Sequence, residues 1–124
     1  MTTLFLGDVE IPAVTSKSLD EHLANTIGAT FAEVWLQHDD GHTLGMLKSD
    51  NRALLLFLEN PGAVGRTSRS RDDMPRSPIP FQLTNGQMDE YPAAWTIPVA
   101  IAVDALRHFC DTGEPAPFID WSND

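Results

Sequence analysis

The order of apolar and polar positions along the chain predicts a sheet of short strands. Runs that are apolar, or that alternate between apolar and polar residues, are separated by turn-forming residues. We expect strands at residues 4–6, 31–37, 43–47, 53–58, 79–84, 87–91 and 118–121. The stretches Asp39–His42 and Ser49–Arg52 have the composition of short turns. They join the second, third and fourth of these strands into an antiparallel meander.

Three strands carry more specific expectations. The short apolar run Leu4–Leu6 is interpreted as an edge strand, whereas Ala53–Leu58 is apolar on both faces and is placed at the centre of the sheet. Asn85-Gly86 predicts a hairpin with a type I′ turn between residues 79–84 and 87–91. Pro92 ends the second arm of that hairpin because proline lacks a backbone donor.

Two segments have helical spacing. Ser18 and Glu21 have the spacing of a capping box, so we expect a helix over about residues 19–26 that stops at Gly28. A second helix is predicted from Pro98 to Asp111, with Gly113 as its C-cap.

On the second helix, Leu106 and Phe109 are expected to be buried against the sheet, and Cys110 lies on the same apolar side. The fold class is therefore α+β: an antiparallel sheet, made of a meander plus a hairpin, flanked by two helices. At 124 residues the chain is interpreted as one domain, residues 1–124.

Residues 60–78 interrupt this pattern with a long polar loop rich in serine, arginine, proline and glycine. A structureless loop of this length is unusual in a compact domain and is either functional or disordered. Its arginines could hold a phosphate, but a mobile, solvated loop is the favoured interpretation.

The net charge of −10 favours basic partners and disfavours binding to nucleic acid or anionic lipid. Four of the eight basic residues lie between positions 66 and 76, which leaves 16 acidic and 4 basic residues elsewhere, a charge of about −12.

The first residues do not resemble a secretion signal, and no apolar run approaches the ~18 residues of a membrane span. One cysteine allows no internal disulfide. We therefore expect a cytoplasmic protein without membrane contact.

Candidate chemistry concentrates in one turn. His38, Asp39, Asp40 and His42 could ligate a metal ion, but no further histidine or cysteine spacing completes the set. A solvated hairpin tip is the favoured interpretation, with no metal and no cofactor. No nucleophile elbow or phosphate-binding loop is present, so the sequence indicates a non-enzymatic protein.

A series of spaced residues in the second half resembles a known family. The series comprises Phe81, Gly86, Glu90-Tyr91-Pro92, Ile97-Pro98, Ala102, Leu106, Phe109, Thr112-Gly113, Pro115, Ile119 and Trp121. It is similar to the immunity proteins that are paired with deaminase-type toxins in bacterial polymorphic toxin systems. The upstream pattern, Asp39-Asp40-Gly41 followed by Asp50–Ala53, is similar to the first half of that family. The resemblance covers the chain from about residue 31, and the arginine-rich loop departs from it.

The resemblance implies an α+β antitoxin without enzyme activity. Its partner would be a basic toxin domain, a cytidine or adenine deaminase that acts on nucleic acid, whose active site it would cover. Two other classes remain open: a protein-interaction domain unrelated to toxins, and a small metal-dependent enzyme using His38, Asp40 and His42.

The expected toxin-binding residues lie on acidic turns and on the approach to the second helix, where side chains can vary without unfolding the scaffold. They are Asp39, Asp40, Asp50, Asp89, Glu90, Tyr91 and Trp95. Among them only Glu90 is a candidate contact from the family pattern. The competing surfaces are the 60–78 loop and a flat face of the sheet.

Overall fold

The computed structural model describes residues 1–60 and 62–122, and its main feature is an antiparallel sheet of eight strands. These are β1 (Thr2–Leu6), β2 (Val9–Val14), β3 (Phe31–His38), β4 (Thr43–Ser49), β5 (Arg52–Leu58), β6 (Arg66–Arg69), β9 (Ile97–Pro98) and β10 (Asp120–Trp121). Their spatial order is β10-β6-β5-β4-β3-β1-β2, and β9 also pairs with β5. The remaining strands, β7 (Pro78–Gln82) and β8 (Met88–Pro92), form a separate hairpin.

Two helices, α1 (Ser16–Gly28) and α2 (Val99–Thr112), pack on the same face of this sheet. A single 3-10 turn, Ala93–Trp95, leads from β8 toward α2. The predicted fold class is therefore confirmed, including the β3–β4–β5 meander and the later hairpin.

The core lies between the helices and one face of the meander. Register brings Val34 opposite Met46 and Met46 opposite Leu55, so alternate residues of β3, β4 and β5 point to the same side. Leu106 and Phe109 of α2 are fully buried in this cluster, as predicted.

The opposite face of the sheet carries the β7–β8 hairpin. Phe81 on β7 is fully buried, and β7 contacts β3 and β4. The hairpin tip is held by Glu33, whose carboxylate accepts hydrogen bonds from the Thr84 backbone N (2.9 Å) and hydroxyl (2.7 Å). Glu33 also accepts from the Trp35 indole Nε1 (2.8 Å). The sheet is thus covered by helices on one side and by a small hairpin on the other.

The prediction of an edge strand at residues 4–6 is wrong. β1 is internal, because it pairs with both β2 and β3. The true edge is β2, which has mostly exposed side chains and contains Pro12. Its sequence therefore lacks the apolar alternation that would have revealed it.

The start of α1 also differs from the prediction. Thr15 is the N-cap, and the capping box joins Thr15 to Ser18 rather than Ser18 to Glu21. The helix ends at Gly28, and Ala29 follows as the cap. The buried Lys48 of β4 donates to the Ala29 carbonyl, where a positive charge is favourable at a helix C-terminus.

Two further local predictions are wrong. Part of the 60–78 loop is a strand, β6, which pairs with β5 and β10. The hairpin turn is not type I′, since that turn needs positive φ at both central residues. Only Gly86 has positive φ there (+89°). The Leu83 backbone N donates a hydrogen bond to the Gln87 carbonyl (2.8 Å), and the Gly86 backbone N donates to the Leu83 carbonyl (2.9 Å). These bonds define a three-residue loop, residues 84–86.

Candidate functional site

The hairpin, the 3-10 turn and β6 contribute a group of residues that we call the hairpin patch: Asp89, Glu90, Tyr91, Trp95 and Arg69. In β8, Asp89 and Tyr91 are half-buried on one face, and Glu90 is exposed on the other. The ring centroids of Tyr91 and Trp95 are 6.2 Å apart. The Arg69 guanidinium lies over the Trp95 ring, and its Cζ atom is 4.4 Å from the ring centroid. The structure thus places four of the seven predicted site residues on the hairpin and the adjoining 3-10 turn, and adds an arginine stacked on an indole.

The buried serine Ser68 of β6 fixes the position of Trp95. Its hydroxyl donates to the Trp95 carbonyl (2.6 Å) and accepts from the Leu55 backbone N (3.1 Å). Next along β6, the Ser70 backbone N donates to the Ala94 carbonyl (2.7 Å). No sequence pattern indicated this role, because Ser68 lies in a polar segment without strand alternation.

The polar groups of the hairpin patch are acidic or neutral apart from Arg69. Asp89 accepts from the Gln87 side chain (2.8 Å), whereas Glu90 is exposed and has no ion pair in the part of the chain that the structure describes. Burial, with the nearby charge of Asp89, raises the pKa of Tyr91. Its phenol therefore stays neutral and can donate a hydrogen bond to a partner.

The other three predicted residues do not join this patch. Asp39 and Asp40 lie on the β3–β4 turn, and Asp50 lies on the β4–β5 turn at the other end of β4. A seven-residue strand separates these ends by about 20 Å. Asp39 Oδ2 is 3.1 Å from the N-terminal amine of Met1. The predicted residues therefore occupy three places on the molecule.

A second group, which we call the turn cluster, comprises His38, Asp40, His42 and Glu114. The His42 Nδ1 atom is 3.5 Å from Asp40 Oδ2 and 3.6 Å from Glu114 Oε1. His38 Nδ1 is 3.2 Å from Asp40 Oδ1. A hydrogen bond from the His42 backbone N lowers the pKa of Asp40, and the charges of the two histidines add to this effect.

The sequence did not point to Glu114, because it is remote from the turn along the chain and only the fold brings it near. It follows Gly113, the predicted C-cap of α2, which has a left-handed φ of +71°. The His38 ring packs directly on this glycine, since a Cβ there would lie 2.8 Å from the ring. Close packing of His38 on Gly113 therefore brings the turn and the end of α2 into contact.

Exposed apolar side chains flank a small groove that no sequence pattern indicated. Ile101 and Phe118 are 42% and 41% exposed and border a volume of about 210 Å³ between α2, β6 and β10. On its rim Arg71 makes two hydrogen bonds to Asp120, of 2.9 and 3.2 Å. These bonds raise the pKa of Arg71 and lower that of Asp120. Part of the predicted mobile loop is thus held against the body.

Cys110 is buried, as predicted, and burial with the nearby charge of Asp111 raises its pKa to about 12. The thiol is therefore protonated at neutral pH and is a poor nucleophile.

No protein-family model matches the chain, and neither does any curated protein. Within residues 1–60 and 62–122, no helix has the length and apolar character needed to cross a membrane.

Proposed function

We propose that the protein is an immunity protein that binds a cognate bacterial toxin and covers its active site. The proposed partner is a basic cytidine or adenine deaminase that acts on nucleic acid. The observation that carries the proposal is the distribution of charge on the folded surface, which agrees with the family resemblance of the sequence.

Most basic side chains are engaged within the molecule. Arg66 lies 3.1 Å from Glu59, Arg71 binds Asp120, and Arg107 bridges Asp20 and Asp104. By contrast, several exposed carboxylates have no ion pair among the residues placed by the structure: Asp8, Glu10, Glu21, Asp50, Asp73 and Glu90. The cations are therefore screened locally, while much of the negative charge is free to act on a partner.

This field suits a deaminase that handles nucleic acid. Such an enzyme needs a basic groove for the phosphate backbone and a pocket for the extruded base. Carboxylates on the surface of an immunity protein can pair with the arginines and lysines that line this groove. An acidic surface also speeds association, because long-range attraction guides the encounter.

The hairpin patch is the proposed centre of contact. Tyrosine and tryptophan are enriched among residues that contribute most to binding. The Tyr91 and Trp95 rings already lie together, and Trp95 is held by Arg69 and Ser68. Little side-chain entropy is then lost on binding. Glu90 supplies an exposed carboxylate on the opposite face of β8 from Tyr91.

We place this activity in the cytoplasm, where an incoming toxin would reach nucleic acid. The proposal includes no direct binding of nucleic acid or membrane by this chain, because its negative field repels both.

The decisive experiment reverses charge on the hairpin patch. Asp89→Lys/Glu90→Lys should abolish protection when the protein is co-expressed with its proposed toxin partner, and should weaken binding at least tenfold. The matched control is Glu10→Lys/Glu21→Lys, which makes the same change in net charge at exposed sites on β2 and α1. This control should still protect the cell.

Two results would contradict parts of the proposal. If the folded Asp89→Lys/Glu90→Lys protein protects as well as wild type while Ile101→Ser/Phe118→Ser does not, the groove is the contact surface. If cells die equally with and without the unaltered protein, the immunity function is wrong, and a protein-interaction domain with another partner is favoured.

A further inference from the structure

We propose that the turn cluster is a binding site for a divalent transition-metal ion of the zinc class. The ligands are His42 Nδ1, Asp40 Oδ2 and Glu114 Oε1. This inference does not rest on the immunity function, and a metal site here was not expected from the sequence.

The distances between the three donor atoms fit such an ion. Zinc bonds to imidazole nitrogen and carboxylate oxygen are about 2.0–2.2 Å long, so tetrahedral ligands lie about 3.4 Å from one another. His42 Nδ1 is 3.5 Å from the Asp40 oxygen and 3.6 Å from the Glu114 oxygen. All three donors fall within 4.8 Å of one another. The three donors therefore have the spacing of ligands on one ion, and the hydrogen bond from Nδ1 to the Gly113 carbonyl must break to admit it.

The environment of His42 Nδ1 is suited to positive charge. Nδ1 donates a hydrogen bond to the Gly113 carbonyl (2.8 Å), and the two carboxylate oxygens face the same atom. A metal ion would take the place of the Nδ1 proton, and the neutral imidazole would carry its proton on Nε2 instead. The ion would also offset the repulsion between two neighbouring carboxylates.

The ligands are held in place by contacts of their own. Asp40 Oδ1 accepts from the His42 backbone N (2.9 Å), which leaves Oδ2 to face the site. The His42 ring packs edge-on against Phe57, with centroids 5.3 Å apart. Glu114 follows the left-handed Gly113, on which His38 packs. Such support raises metal affinity by fixing ligand orientation.

The proposed ion would join two segments that are far apart in the sequence. Asp40 and His42 belong to the β3–β4 turn, whereas Glu114 follows α2. Since an unfolded chain does not hold these ligands together, metal binding should stabilise the folded protein.

The test is calorimetric titration of chelator-treated protein with zinc sulfate. The wild type should bind one zinc ion per chain, and excess magnesium should not compete, because imidazole ligands favour zinc. His42→Gln and Glu114→Gln should each weaken zinc binding at least tenfold. His22→Gln and Glu59→Gln remove a histidine and an exposed carboxylate outside the cluster, and should leave the affinity unchanged.

Circular dichroism and melting of each metal-free variant would establish that it is folded. Cobalt(II) offers a second readout, because tetrahedral coordination gives it a strong visible spectrum that His42→Gln should remove. Absence of zinc binding to the wild type would overturn the proposal, as would equal binding by wild type, His42→Gln and Glu114→Gln. Protection against the toxin is measured separately, so failure here would be distinguishable from failure of the immunity function.

Discussion

Phe109 shows how a single side chain of α2 supports the fold. It is fully buried in the core between the helices and the sheet. Phe109→Ala should lower the free energy of unfolding by roughly 3–5 kcal/mol, because the lost ring leaves a cavity. Urea denaturation measures this change. Phe118→Ala is the matched control: its ring is 41% exposed, so the loss should be much smaller. If Phe109→Ala melted within a degree or two of wild type, the assigned core face would be wrong.

Glu33 makes stability depend on pH. Burial raises its pKa, but hydrogen bonds from the Thr84 backbone, the Trp35 indole and the Thr84 hydroxyl outweigh this and lower the pKa below the usual 4.5. Because the folded-state pKa is depressed, the stabilisation is present above pH 4.5 and is lost as pH falls through the folded-state value.

Glu33→Gln should therefore destabilise the protein more at pH 7 than at pH 3. Urea denaturation of the two proteins at both pH values measures the difference. Glu59→Gln is the control, since Glu59 is exposed and forms a surface ion pair with Arg66. An equal loss for Glu33→Gln at pH 3 and pH 7 would show that the carboxylate charge is not what holds the hairpin tip.

At the scale of elements, Ser68 connects β5, β6 and the 3-10 turn. Ser68→Ala removes a donor to the Trp95 carbonyl and an acceptor for the buried Leu55 backbone N, so both backbone groups lose this partner. The expected loss of stability is about 1–3 kcal/mol by chemical denaturation. Toxin affinity should also fall, since Trp95 loses its anchor. Ser77→Ala, at an exposed position before β7, is a control that should change neither quantity.

The elements that could be predicted are those whose own sequence shows which residues are buried, through the spacing or the continuity of their apolar residues. β3 and α2 repeat apolar residues on the side that faces the core, whereas β5 is a continuous apolar run buried on both faces. β2 and β6 lack this signal: one is an exposed edge, and the other is a polar segment held by pairing with β5 and β10. Their conformation depends on tertiary contacts that a local pattern does not contain.

The same reason limits prediction of the sites. Asp40 and His42 could be singled out because they are adjacent in one turn, and Tyr91 and Glu90 because they are neighbours in one strand. Glu114 and Arg69 complete the two groups from distant segments, so only the folded structure could reveal them. Conversely, Asp50 was grouped with Asp39 by composition, although a full strand separates their turns.

For the whole molecule, net charge sets the expected kinetics of toxin binding. The chain carries −10, and the proposed partner is basic. Raising salt from low to physiological concentration should slow association markedly while changing dissociation less, because screening weakens long-range attraction. Stopped-flow or biosensor measurements separate the two rates. An association rate that does not change with salt would argue against steering by the acidic surface.

The β7–β8 hairpin lies outside the main sheet, and this has a consequence for motion. A two-stranded hairpin is marginally stable alone, so this one depends on Phe81 and on the bonds between Glu33 and Thr84. It can therefore open locally at a lower free energy than the meander, and its amide protons should exchange with solvent sooner. A bound toxin would have to hold the hairpin closed, so slowed exchange at Ile79 and Tyr91 would report occupancy of the surface directly.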